Sequence, residues 1–562
     1  MRPLRELPFD DAGTLTLTDL LERRVAETPD AIAIQTPLGS LTYSSWLTGA
    51  KGISALLRDE AGVSPGDCVL VWIDSEDARW FVAAAHAVFD AGAIVAPLDD
   101  RLSAPDFRRL QASTGASAAI VSSTILAALP PEAQEQLGLL PDSEPRETHG
   151  LLIIPTAGLH LVANQATRLN ELPSDVSLIA APATARTPED CAFLAFTSGS
   201  TGQPKGVMVS HGGSVQLAER MTNAIFALPR GGRRVGPEDV IQSPIPAYLG
   251  TSIANNLYPA AFAGCPLLYR GRRFDPRQSE EDMVTNGTTL YNGAPTHYAM
   301  MCQLPRTEVT DRVAVDVMIT AGSPLTQEKY RQFRERWPRT AISNWYALNE
   351  TMVGQTLNYG AGMDRDPCAV GTPVWPTEVR IIDPDGADKP PGEDGEVLLR
   401  SPGQMMGYFH DDAETAQRIQ DGWIHTGDCG NLSPDDGQLR LTGRVVERIN
   451  RGAFKFYPAE VEAVLLEHPS VIDSAVIGVP HEFLGQDAVA FVVLRDRTDS
   501  GQDASEMLRE HCRGHLARNK VPGAIVVLEK MPRSGYGKVL KNELRLQWGA
   551  LTTDSLAGPS DS

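Results

Sequence analysis

The chain has 562 residues, 42% hydrophobic and 22% charged, and 50 Lys and Arg against 71 Asp and Glu leave a net charge of −21 at pH 7. That length accommodates about three or four domains, or one large α/β body with a satellite, and the composition is that of a soluble globular protein. So large an acidic excess speaks against nonspecific nucleic-acid binding, which relies on clustered Lys and Arg to hold the phosphate backbone.

The N-terminus carries basic residues but no uninterrupted apolar run of signal-peptide length. The most apolar stretch, Phe81 to Leu98, is interrupted by Asp90 and is too short to span a bilayer. The chain therefore reads as cytoplasmic, with no membrane span. Its seven cysteines, Cys68, Cys191, Cys265, Cys302, Cys368, Cys429 and Cys512, stand singly. With no C-x-x-C spacing they suggest reduced packing residues, not a disulfide framework or a zinc site.

From Cys68 the chain alternates short β-branched runs with Ala-rich helical stretches: CVLVWI, ARWFVAAAHAVFDAG, IVAPLD, APDFRRLQAS, AAIVSS. This alternation predicts βα units around mainly parallel sheets. The acidic, Pro-rich stretch from Pro130 to Glu147 reads as a surface loop. Past residue 300, VDVMITAG, LTQEKYRQFRERW and TAISNWYALNE read as strand, helix and strand. From Val374 to Arg400 the texture changes to VRIID, a Pro384-Asp385-Gly386 turn and GEVLLR, which predicts a β-rich subdomain.

After Arg444 a small α/β unit begins. Pro458 opens a helix with Val461, Val464 and Leu465 on one face, followed by strands SAVIGV and AVAFVVL, a helix over Glu506 to Leu516 and a strand AIVVLE. The predicted organisation is a body over 1–443, a hinge at 444–447, a small domain over 448–549 and a disordered tail over 550–562. Between Arg509 and Arg545 nine Lys or Arg face three Glu, a basic island in an acidic chain.

The strongest chemical signal is FTSGSTGQPKG over 196–206, with three glycines, four hydroxyl residues and one lysine. Such a loop brings backbone N–H groups close to an anion, with Lys205 as a point charge for phosphate. It is not a Walker A loop, because Pro204 breaks the G-x-x-x-x-G-K-[ST] spacing.

The loop resembles that of the adenylate-forming superfamily: acyl- and aryl-CoA synthetases, peptide-synthetase adenylation domains and luciferases. The likeness continues in order through YALNET at 346–351, GEVLLRSPGQMMGY at 395–408, WIHTGD at 423–428, GRVVERI at 443–449, YPAEVE at 457–462 and PRSGYGKVLK at 532–541. The resemblance implies a large body and a mobile C-terminal domain. It also implies a nucleotide site of Thr197, Ser198, Gly199, Ser200, Thr201, Gly202 and Lys205. Ala321, Gly322, Ser323 and Tyr346 would border adenine, and Asn349 would face the α-phosphate. Glu350 would hold Mg²⁺, a hard cation that prefers oxygen ligands. Asp428, with Arg444 beside it, would hold ribose, and Lys538 would meet the reacting carboxylate; Lys205, Glu350 and Lys538 form the catalytic set. Attack of a carboxylate on ATP brings anion to anion, so placed cations stabilise the transition state. The acyl adenylate formed with loss of pyrophosphate would pass to coenzyme A. The alternatives are a carrier-protein phosphopantetheine, an amine acceptor or a non-carboxylate oxyanion, and, outside enzymes, a nucleotide-binding protein that has lost catalysis.

Ala347 and Asn349 stand where the family pattern has Gly and Thr, Val446 where the hinge residue is commonly Asp or Lys, and Asn450 where Lys is frequent. The stretch Pro246 to Thr251 carries no acid to pair with a substrate ammonium, which disfavours an α-amino acid. Tyr248, Tyr291, Asn292, Ala321 and Ala347 are the candidate lining of a pocket for an aromatic or short acyl acid. His511 and His515 share a helix face without a third ligand nearby, and a solvated face is the better reading.

Overall fold

The computed structural model describes residues 4–76, 78–132, 151–157, 160–161, 167–169, 186–198, 204–271, 273–352, 355–452, 454–495, 502–533 and 539–556. By its contacts the chain divides into two compact units, Met1–Glu378 with Leu399–Ile424, and Val379–Leu398 with His425–Ser562.

Among the described residues, the first unit contains two nine-stranded sheets. In one, strands Ala341–Tyr346, Val317–Thr320, Leu290–Gly293, Ile241–Ser243, Leu267–Tyr269 and Ile32–Thr36 run parallel as neighbours in that order. Antiparallel strands close its edges. In the other, Cys191–Ser198, Ile94–Pro97, Cys68–Trp72 and Ala118–Ser122 are the parallel centre.

Period-two alternation sorts the side chains of these strands onto two buried faces. Val69 and Val71 join the large core that also takes Ile241, Leu290, Val317 and Trp345 from the first sheet. Leu70 and Trp72 join a separate cluster with Phe107 and Leu194. Met318, Tyr291 and Ile342 face a third, under Tyr298, Phe333 and Trp337. Burial on both faces is why these strands read as unbroken apolar runs.

The helices follow the same logic. Ala78–Asp90 is buried nearly all round, as its Ala-rich composition requires. The Asp90 that interrupts its apolar run is buried 3.5 Å from the Arg58 guanidinium. Helix Ala104–Thr114 starts on a Ser103–Asp106 capping box and stops at Gly115, whose φ of 61° places it in the left-handed region.

In the second unit, strands Gly485–Leu494 and Val471–His481 pair antiparallel, Ala524–Val527 joins parallel, and helix Pro458–Glu467 buries Val461 and Leu465. The β-rich stretch appears as strands Glu378–Ile382 and Gly395–Arg400. Turn Val445–Glu447 lies where the hinge is predicted. Helix Lys541–Leu556 runs into the stretch read as a disordered tail. Residues 133–147 of the predicted loop lie outside the described residues. No helix among the described residues is long and apolar enough to cross a membrane.

Candidate active site

Strands Cys191–Ser198 and Pro204–Ser210 form an antiparallel pair that places Lys205 opposite Thr197 and Pro204 opposite Ser198. Gly199, Ser200, Thr201 and Gly202, between these strands, lie outside the described residues. Lys205 Nζ sits 2.7 Å from Glu414 Oε1 and 5.5 Å from the centre of the Tyr408 ring. Tyr408 reaches this point because strand Gly407–Tyr408 pairs with the lysine-bearing strand at Val207.

The segment after strand Ala341–Tyr346 arrives at the same place. Asn349 Nδ2 donates to the Phe196 carbonyl at 3.5 Å, joining this segment to the first strand of the pair. Glu350 is buried, and its Oε1 accepts from the Tyr408 hydroxyl at 2.7 Å and from Arg418 at 2.8 Å. Burial, and then the Glu350 charge, push the Tyr408 phenol well above its ordinary range, so it stays a donor. Among the described residues no three His, Cys, Asp or Glu converge as a metal-binding group. One buried carboxylate suits a Mg²⁺ whose other ligands are water and substrate phosphate oxygens.

Gly322 follows strand Val317–Thr320 with a φ of 84° and open space where a Cβ would point, and Ser323 is exposed. Tyr346 closes the neighbouring parallel strand, so Ala321, Gly322, Ser323, Tyr346 and the half-buried Ala347 all lie at or just past carboxyl ends of strands. That is where open α/β sheets bind ligands.

The candidate acid-pocket residues separate. Asn292 faces the core between the sheets, where Nδ2 donates to Asn256 Oδ1 at 2.8 Å, and Ala321 packs against the same core. Tyr291, its neighbour in the strand, points the other way into a different cluster, with its hydroxyl 2.9 Å from Ser279 Oγ. The two do not line one cavity. Tyr248 is buried and donates to Asp99 Oδ1 at 3.1 Å. Burial opposes ionisation of Asp99, but hydrogen bonds from Arg101 outweigh it and hold the carboxyl below its ordinary value.

Asp428 and Arg444 belong to the second unit. They face each other across a strand pair, with Arg444 Nε 2.8 Å from Asp428 Oδ1. Asn450 is exposed there, and Lys538 lies outside the described residues. His511 bonds the Val464 carbonyl through its ring, in keeping with a structural role.

Sequence reasoning missed Tyr408, Glu414 and Arg418. Tyr408 ends a run already singled out for its resemblance, and Glu414 and Arg418 are spaced i, i+4, which by itself suggests an exposed helix pair. A further feature is a cavity of about 210 Å³ lined by Gln242, Ser243, Arg270, Arg273 and Phe274 among others. Arg270 is ion-paired with Asp282, and the exposed Arg273 has no partner among the described residues.

Residues 21–409 match the AMP-binding enzyme family and residues 460–538 match the AMP-binding enzyme C-terminal domain. Feruloyl-CoA synthase from Amycolatopsis is 28% identical over 527 residues, covering 94% of this chain and 98% of that protein. Indoleacetate–CoA ligase from Aromatoleum aromaticum is 28% identical over 534 residues with the same coverage, 94% and 98%. Among solved structures, a benzoate CoA ligase from Burkholderia xenovorans superposes with a TM-score of 0.77 at 23% identity, covering 94% of this chain and 100% of that one. With both family models matched, the first over more than half of its length, the chain belongs to the AMP-binding enzyme family and is a ligase of the adenylate-forming class.

Proposed function

We propose that this ligase joins ATP to a carboxylic acid, releases pyrophosphate and transfers the resulting acyl adenylate to coenzyme A. The observation that carries the reading is the convergence of Lys205, Asn349 and Glu350 around three neighbouring strands, Cys191–Ser198, Pro204–Ser210 and Gly407–Tyr408. A cation, an amide donor and a buried carboxylate together suit a triphosphate with its metal. Lys205 would bind phosphate, Asn349 would donate to the α-phosphate, and Tyr346 with the 321–323 turn would hold adenine. A bound Mg²⁺ supplies charge neutralisation across the triphosphate, with Glu350 as its protein ligand. Asp428 with Arg444 would take ribose, and Lys538, on the domain over 448–549, would meet the reacting carboxylate.

Coenzyme A is preferred as acceptor because both named relatives are coenzyme A ligases and because the Arg270–Arg273 cavity offers an exposed guanidinium to an anionic nucleotide. The acid is aromatic or short acyl. Pro246 to Thr251 holds no carboxylate for a substrate ammonium, and Asp99 beside Tyr248 is already neutralised by Arg101. Incubation with MgATP, coenzyme A and a panel of aryl and short acyl acids should yield a thioester and AMP, read by mass spectrometry. A product that forms only with a phosphopantetheinylated carrier protein or an amine would overturn the acceptor assignment.

A further inference from the structure

Helix Asp412–Arg418 touches both charged residues of the proposed triphosphate site. Its Glu414 lies 2.7 Å from Lys205 Nζ, and its Arg418 lies 2.8 Å from Glu350 Oε1. At i, i+4 the natural partner of each is the other. Instead each reaches a residue of opposite charge on a different strand or loop, so a single helix neutralises the site's cation and its carboxylate together. Glu350 is buried and would be costly to leave uncompensated. Glu414 is far more accessible, with its side chain 36% exposed.

Unusual backbone surrounds the same place. The non-glycine residues with positive φ among those described are Met352, two residues after Glu350, and His410 and Asp421, which bracket the helix on either side. Such conformations cluster where the chain is held in a functional geometry.

We propose that helix Asp412–Arg418 stands in for the nucleotide and its metal, and that Arg418 moves from Glu350 onto the β- and γ-phosphates when MgATP binds. The proposal rests on reading this site as a triphosphate site. Arg418 occupies the cation's position on Glu350, and Glu414 occupies the phosphate's position on Lys205. Arrival of MgATP supplies a replacement for each: metal for Arg418 on Glu350, phosphate for Glu414 on Lys205. The released guanidinium faces an anion whose oxygens suit its forked donors, and the released Glu414 returns to solvent.

Calorimetric titration of the full chain with MgATP, with ATP in EDTA and with AMP separates this from a structural role. Arg418→Gln should weaken MgATP binding by about tenfold or more, the scale of a lost charge-assisted phosphate contact. AMP, which lacks the β- and γ-phosphates, should bind within about twofold of the parent, and Arg418→Lys should recover part of the loss. Glu414→Gln, on the accessible side and easily folded, should tighten metal-free ATP severalfold by releasing Lys205. Equal losses for AMP and MgATP in Arg418→Gln, or unchanged ATP affinity in Glu414→Gln, would overturn the exchange. A parent chain that binds AMP but not MgATP would overturn the triphosphate reading as well.

Discussion

The Tyr408 hydroxyl donates to Glu350 Oε1 at 2.7 Å, across 58 positions of sequence. This bond fixes the carboxylate relative to the strand pair that carries Lys205, because the backbone of Tyr408 pairs with Val207. Removing the hydroxyl leaves a buried charge with one donor fewer. Tyr408→Phe is expected to lower stability by about 1.5–3 kcal/mol, the range for a hydrogen bond to a charged group, measured as a shift of the urea midpoint at unchanged slope. A variant as stable as the parent would show that Glu350 is held by Arg418 alone.

Two buried histidines, His86 and His211, and the half-buried His297 set an acid limit on stability. Burial pushes His86 down to about 3 and His211 and His297 down to about 4. His297 Nδ1 accepts from the Ala294 amide at 3.0 Å, as a neutral ring can. In the unfolded chain these rings titrate near about 6.5. Between pH 6.5 and 4 the unfolded state therefore binds protons that the folded state refuses, and stability falls as pH falls through this window. The slope from each histidine steepens as pH falls past the unfolded value and approaches about 1.4 kcal/mol per pH unit near about pH 5. Unfolding free energies at pH 7, 6 and 5 should decline accordingly, and a flat profile would contradict the burial of these rings.

Thiol labelling should be selective. Cys368 is the one exposed cysteine of the seven. Burial pushes Cys68, Cys191 and Cys302 up to about 12 and Cys512 up to about 11. The Cys429 thiol, also raised by burial, accepts the Tyr457 hydroxyl at 2.9 Å. The thiolate is the reactive form, so brief iodoacetamide treatment of the native chain at pH 8 should modify Cys368 before the others, as read by peptide mass spectrometry. Early modification of Cys429 would mean that the Tyr457 contact opens in solution.

The sequence made the parallel sheets legible because both faces of each central strand are buried, so Cys68–Trp72 and Val317–Thr320 appear as apolar runs between helices. Lys205 was singled out by the loop it ends and Glu350 by the resemblance of the run around it, and the structure sets Tyr408 against both, with its ring 5.5 Å from Lys205 Nζ and its hydroxyl 2.7 Å from Glu350 Oε1. Which face a residue takes was not legible. Tyr291 and Asn292 are neighbours in strand Leu290–Gly293, so alternation alone sends them to opposite sides, but only the packing of helices and sheets around it decides which of them meets which core. Glu414 and Arg418 were hidden for a related reason. Their spacing suggests a local pair, whereas their partners lie 209 and 68 positions away by residue number and are defined by tertiary contacts alone.

In the function proposed above, a carboxylic acid attacks ATP at the site built around Lys205 and Glu350. The most direct test is pyrophosphate release from MgATP across a panel of aryl and short acyl acids, comparing the parent with Glu350→Gln and Lys205→Ala. Release should require an acid and fall by about a hundredfold or more in both variants, about 2.7 kcal/mol of lost transition-state stabilisation. Acid-independent release, or variants as active as the parent, would contradict it.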